Sequence, residues 1–256
     1  MKIILTNDDG IYSEGIQILK KQLDNIAEVT VIAPDRERST IGHAITLRKP
    51  LRINKVKING DFLGFSLDGT PADCVIIGLL EIMKDEKPDL IVSGINRGPN
   101  LGDDIFYSGT VSAAVEGAMR NIPSLAISLA GYEDFKFESA ALFTKKIAYN
   151  LNKNNLISNL VLNINFPNID SKKIEGVEIT RHGKRVYKDE VKIINDPQGT
   201  THYWLGGDLP DGKIEPDTDF EAIHNNKVSI TPLSLDLTDY NVTPKVKDWV
   251  KKWNFK

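Results

Sequence analysis

Three consecutive residues, Asn7, Asp8 and Asp9, stand where a short apolar run gives way to Gly10 in the segment "ILTNDDGIYSEG". Neighbouring carboxylates repel, so the pair implies a cation close by. On an ideal strand their side chains would face opposite ways. Both reach one ion only if the chain turns, which Gly10 permits. More oxygen donors follow two later apolar runs. Asp35, Arg36, Arg38 and Ser39 come after "VTVIAP", and Asn96, Arg97, Gly98 and Asn100 after "PDLIVSGI", with Asp103 and Asp104 beyond. Carboxylates with a hydroxyl and an amide are hard ligands, suited to Mg2+ or Mn2+, with Ca2+ also accommodated, rather than Zn2+. The 4 histidines are scattered and show no zinc spacing.

Two carboxylates cancel the charge of one divalent ion, so the donors for a phosphate dianion must come from elsewhere. Ser108, Gly109 and Thr110 in "YSGTV" open an expected helix, where backbone N–H groups and the dipole favour an anion. A cation beside an anion cradle is the apparatus of phosphoester hydrolysis, in which the ion polarises a phosphoryl oxygen and lowers the pKa of a water. Each segment alone also reads as an ordinary turn or cap. Their convergence on one sheet edge is what points to a site.

Such convergence needs an open α/β sheet, where ligands collect beyond the carboxyl ends of the strands. Strands are expected at Lys2 to Asn7, Val29 to Asp35, the run before Asp68-Gly69, Pro88 to Asn96, "SLAISL" and "LVLNINF". Helical spacing covers Glu14 to Ile26, Thr70 to Met83, Ser108 to Met119 and about Glu138 to Leu151. Thr70 suits an N-cap, Pro71 the first helical position and Asp73 the first turn. This alternation implies crossover units and a doubly wound, mostly parallel, Rossmann-like three-layer α/β fold.

Residues 1–170 are thus expected to form an α/β core that binds metal and phosphate. Beyond about Asp170, two-residue alternation in "VEITRHGKRVYKDEVKII" and frequent Pro and Gly, Pro210 among them, imply β-hairpins and loops across 171–256. A late strand, "KVSITPL" (about 227–233), and a C-terminal helix complete the chain. Val246, Trp249, Val250 and Trp253 share one face of that helix, which would dock on its own domain or on a second subunit.

The 256 residues hold 32 Lys plus Arg against 35 Asp plus Glu, a net charge of −3, with no basic stripe for duplex nucleic acid. Cys74 is the single cysteine, so no intrachain disulfide forms. Asp8 and Asp9 interrupt the first apolar run too early for a signal peptide, and no run nears the roughly 18 residues of a membrane span. A soluble cytoplasmic protein with no membrane partner is expected.

The segments "ILTNDDGI", "VIAPDRERS", "LDGTPADCV", "IVSGINRGPNLGDDIFYSGTVSAAVEGA", "PSLAISL" and "VSITPL" resemble, in order and across nearly the whole chain, the SurE family of survival-protein E nucleotidases. The resemblance implies a metal-dependent phosphatase acting on nucleoside 5′- and 3′-monophosphates, with short polyphosphate as a further substrate in some relatives. It implies Asp8, Asp9, Ser39 and Asn96 as ligands of one divalent ion per subunit, and Ser108, Gly109 and Thr110, with Asn7, on the substrate side. Asp8, Asp9 and Asn96 are the catalytic candidates. It also implies a homodimer or homotetramer built through the C-terminal region. One segment departs from the family pattern: "TIGHAITL" places Ile41 and His43 after Ser39, beside the nucleoside side of the pocket.

Three rival readings remain. A haloacid-dehalogenase-type phosphatase forms an aspartyl-phosphate and needs two aspartates separated by one residue, whereas these are adjacent. A dinucleotide oxidoreductase needs a G-x-G-x-x-G after the first strand, which is absent. A non-catalytic regulator binding a metal–nucleotide complex would use the same ligands.

Overall fold

The computed structural model describes residues 1–153, 159–186, 189–207 and 211–253; Tyr187, Lys188 and Pro210 of the stretches expected to form hairpins and loops lie outside them. Strand β1 (Lys2–Thr6) sets the layering by simple alternation. Ile3 and Leu5 enter one core with Ile16, Leu19 and Leu23 of helix α1 (Glu14–Leu23). Ile4 points the other way, into a cluster with Val75 and Ala113. Those two residues belong to α2 (Pro71–Ile77) and α3 (Gly109–Met119). Helix α4 (Phe137–Lys153) packs beside α1 through Phe137, Ala140 and Ala141. The sheet therefore has helices on both faces, as the alternating pattern implied.

The strands after β1 are β2 (Glu28–Pro34), β3 (Ile53–Ile58), β4 (Asp61–Leu67), β5 (Leu90–Arg97), β6 (Ser124–Ala130), β7 (Val161–Pro167) and β8 (Val177–Ile179), then β9 (Lys184–Val186), β10 (Asp189–Asn195), β11 (Thr201–Gly207), β12 (Asp211–Lys213) and β13 (Val228–Leu233). Nine of them form one sheet in the order β3-β4-β2-β1-β5-β6-β7-β13-β8. Its pairs are parallel except β3–β4 and β13–β7. β10–β11 and β9–β12 are separate antiparallel pairs, and two helices, α5 (Asp219–His224) and α6 (Thr243–Val250), flank β13 in the chain. Among the described residues no helix is long and apolar enough to cross a membrane.

Local chemistry explains most boundaries. Thr70 caps α2 in a reciprocal box: its hydroxyl accepts from Asp73 N (3.1 Å), and the Asp73 carboxylate accepts from Thr70 N (2.9 Å). The helical period through Leu80 fails, however. α2 passes at Gly78–Ile82 into a π-turn closed by Met83 N to Gly78 O (2.8 Å). The extra residue in that turn rotates Leu80 outward, leaving it 62% exposed. α1 ends at Leu23, three residues short of the expected Ile26, and Ser108 caps α3 from outside it.

Candidate metal and phosphate site

The turn after β1 is held from within. Asn7 is fully buried; its Nδ2 donates to Gly10 O (3.0 Å) and Ser13 Oγ (2.7 Å), and its Oδ1 accepts from Gly10 N (3.2 Å). Asn7, expected to meet substrate, is placed as the brace of the turn. Gly10 sits at φ +94°, where a Cβ would lie 3.0 Å from the Arg36 carbonyl carbon, so only glycine fits.

Asp8 and Asp9 then take different partners. Asp8 is buried, its Oδ1 accepts from the Thr110 hydroxyl, and its main-chain oxygen accepts from Arg38 N (2.7 Å). Asp9 is half-buried, and its Oδ2 accepts from Arg97 N (3.2 Å). Burial pushes the Asp8 carboxyl up against the opposing Thr110 bond. Burial first, and the Asp8 charge second, push Asp9 up to about 6. Two neighbouring carboxylates that resist ionisation are what a cation would stabilise.

The other expected donors come from three elements. Ser39 lies in the exposed loop after β2, where its hydroxyl donates to Glu37 Oε1 (2.6 Å); that leaves its oxygen lone pairs as acceptors. Asn96 is the last residue but one of β5, just after the ladder to β6 shifts register, and its Nδ2 donates to Gly98 O (3.0 Å), so that Oδ1 is the atom it can offer a cation. Helix α3 starts against Asp8. Ser108 Oγ accepts from Val111 N (3.1 Å), and a Cβ on Gly109 would lie 2.9 Å from Asp8 Cβ and 3.0 Å from its Oδ2.

Asp8, Ser39, Asn96 and Ser108 line one cavity of about 420 Å3, beyond the carboxyl ends of β1, β2 and β5. Asp9 lies beside this wall rather than in it, and Asn7 lies behind it. Among the described residues no three His, Cys, Asp or Glu side chains converge on a metal position. The donors expected from the sequence, the Asp8 and Asp9 carboxylates with the Ser39 hydroxyl and the Asn96 amide, have the chemistry of a site for a hard divalent cation, three of them from this wall and Asp9 from beside it. A larger cavity of about 800 Å3, lined by Phe106, Met119, His182 and Leu235 among others, presents no carboxylate. It therefore offers no anionic ligand to a divalent cation, although Arg181 also lines it.

Tyr107, Tyr132 and Arg185 also line the smaller cavity, and sequence reasoning missed all three. Arg185 is buried, pairs with Asp104 Oδ2 (3.0 Å) and covers the Phe220 ring. Nothing in its spacing tied it to residues some 80 positions earlier.

The family model described as survival protein SurE matches residues 3–189. A 5′-nucleotidase SurE of Syntrophomonas wolfei subsp. wolfei is 46% identical over 248 residues, 96% of this chain and 94% of the relative. That of Moorella thermoacetica is 47% identical over 242 residues, 94% and 93% of the two chains. The crystal structure of the SurE protein from Aquifex aeolicus matches with a TM-score of 0.85 at 41% identity, covering 98% of this chain and all of that one. The likeness runs along nearly the whole chain in sequence and in fold, and the chain belongs to the SurE family.

Proposed function

We propose that this protein is a metal-dependent 5′-nucleotidase that hydrolyses nucleoside monophosphates to nucleoside and phosphate. The observation that carries the reading is the single cavity lined by Asp8, Ser39, Asn96 and Ser108, the cap of α3, with Thr110 of the first turn bonded to Asp8. Relatives 46% and 47% identical are named 5′-nucleotidase SurE.

Asp8, Asp9, Ser39 and Asn96 would hold one Mg2+ or Mn2+ per subunit. Bound there, the ion supplies electrophilic pull on a phosphoryl oxygen and eases the deprotonation of water. The α3 backbone N–H groups of Gly109 and Thr110, with the Ser108 hydroxyl, receive the remaining phosphoryl oxygens and the charge that develops on them. Thr110 fixes the orientation of Asp8. Asp9, half-exposed and free of the Thr110 bond, accepts the proton of the attacking water. Adjacent aspartates with separate partners do not present the same-side pair that an aspartyl-phosphate route needs.

Phosphate release from a panel of 5′- and 3′-monophosphates and short polyphosphate, with Mg2+, with Mn2+ and with chelator, tests the reading. Metal-dependent release from 5′-nucleotides is expected, with 3′-nucleotides and polyphosphate as lesser substrates. A regulator releases no phosphate from any of them, and trapped phospho-enzyme after acid quench would establish the aspartyl route. A cytoplasmic location rests on the lone, fully buried Cys74. The exposed apolar residues of the C-terminal tail support the reading of a homodimer or homotetramer.

A further inference from the structure

The loop that carries Ser39 runs from residue 35 to 52 without a helix or strand, so something else must hold it in place. Upstream of Ser39 it is anchored by Arg38 N to Asp8 O (2.7 Å). Immediately downstream, Thr40 adopts φ 54°, a left-handed conformation that is strained for a β-branched residue. Strain of this kind persists only where the flanks are fixed. The next tie after Thr40 is Gly42 N to Tyr107 O (2.9 Å), and the next side chain is His43.

His43 Nε2 lies 2.9 Å from Glu116 Oε2. Glu116 is on α3, two turns beyond the Ser108–Thr110 cradle, and its other oxygen accepts from Arg120 Nε (2.8 Å). Its side chain is 8% exposed. Burial works against its charge, yet the His43 and Arg120 bonds hold its carboxyl below the usual range. A rigid helix thus grips the loop through a buried, doubly bonded carboxylate. The bond joins the element that offers Ser39 to the element that offers the phosphate cradle.

We propose that His43 is a positioning residue, whose bond to Glu116 locks the Ser39 loop onto α3 and so sets the Ser39 oxygen against the cradle. This rests on the metal-dependent reading above. Losing the bond leaves every proposed ligand in the chain, and leaves the ties of Gly42 to Tyr107, Ala44 to Thr70 and Thr46 to Asp73. It removes the one side-chain bond between the loop and α3 among the described residues, and so loosens the loop there. Metal uptake should therefore weaken.

The test is calorimetric titration of Mn2+ into the metal-free protein and its His43→Ala, His43→Gln, Glu116→Ala and His43→Ala/Glu116→Ala variants, with melting temperatures for each. Gln places an amide nitrogen near the position of Nε2. His43→Ala should raise the Kd for Mn2+ about tenfold, the size of one charge-assisted hydrogen bond, and His43→Gln should restore it. The double variant should bind no worse than Glu116→Ala alone. Amide hydrogen exchange in residues 39–43 should quicken in metal-free His43→Ala and not in His43→Gln, while Thr46, whose amide is held by Asp73, keeps its rate in both. Wild-type affinity in His43→Ala, or equal weakening in His43→Gln, overturns the proposal while leaving the nucleotidase reading intact. A wild-type protein that takes up no Mn2+ overturns both. Should Glu116→Ala fail to fold, the Ala and Gln variants at His43 still decide.

Discussion

Thr110 donates its hydroxyl hydrogen to Oδ1 of Asp8, joining the first residue pair of the proposed metal site to the first turn of α3 across 102 positions of chain. The bond has two consequences. It uses one oxygen of a buried carboxylate and leaves the other for a ligand, and it fixes the distance between cation and anion cradle. Replacing Thr110 by Val keeps the shape and removes the hydroxyl. A hydrogen bond to a charged group contributes about 1.5–3 kcal/mol, so kcat should fall about ten- to a hundredfold, with Thr110→Ser close to wild type. Steady-state kinetics with a 5′-nucleotide at saturating Mg2+ reads this directly. Equal kcat values for Val and Thr would show that Asp8 needs no such brace.

Asp9 links activity to a stability cost. In the metal-free protein its carboxyl is pushed from 3.8 up to about 6, by burial and then by the Asp8 charge. The folded state therefore holds this proton more tightly than the unfolded chain. The contribution of Asp9 to stability is fully present below pH 3.8 and is lost as the pH rises through 6. Asp9→Asn carries no such charge. Thermal melts of both metal-free proteins from pH 4 to pH 8 should diverge with rising pH, the variant becoming more stable by on the order of 3 kcal/mol above pH 6. The same variant should lose most nucleotidase activity. Parallel melting curves at every pH would remove Asp9 from the buried charge pair.

Much of this was legible in the chain, for identifiable reasons. The alternation of Ile3, Ile4 and Leu5 and the Thr70–Asp73 cap are local signals, and local interactions express them. β3 was missed because Lys55 and Lys57 make it read as polar. It is an edge strand, and its Asn59-Gly60 turn, both residues at positive φ (51° and 92°), was the available cue. Donor types at Asp8, Ser39 and Asn96 were readable, but donor directions were not. Whether Asn7 faces a cavity or braces its own turn depends on Ser13 and Gly10 geometry. Arg185 enters the cavity wall from a region read only as hairpins, because long-range packing brings it there.

Gly109 is required by space rather than by backbone freedom. A Cβ there would stand 2.9 Å from Asp8 Cβ, 3.0 Å from its Oδ2 and 3.1 Å from Pro71 Cγ. α2 and the β1 turn both hold their positions, so Gly109→Ala must displace Asp8 or the start of α3. Overpacking of this kind costs about 1–3 kcal/mol. The variant should melt lower yet remain folded at 25 °C, and its activity there should fall by more than the folded fraction accounts for. Folded, fully active Gly109→Ala would mean that the cradle and Asp8 are not in contact during turnover.

The C-terminal tail gives the clearest physical case for a second subunit. Helix α6 spans eight residues, Thr243–Val250, and none of them is buried. An isolated helix that short is marginal in water, since helices under about 12 residues rarely persist without packing. Its apolar members are nonetheless numerous: Trp249 is 57% exposed, and the Trp249 and Trp253 rings meet edge to face at 4.4 Å. A helix with this composition and no cover among the described residues is expected to gain stability by packing on a second subunit. Replacing Trp249 and Trp253 together by Ser should leave the α/β sheet folded but remove the stability that association supplies, so that the melting temperature no longer rises with protein concentration. The mass in solution, measured by light scattering, should drop from an oligomer towards a single chain. An unchanged oligomer in the double variant would move the interface off this helix, and a wild-type monomer would remove the need for one.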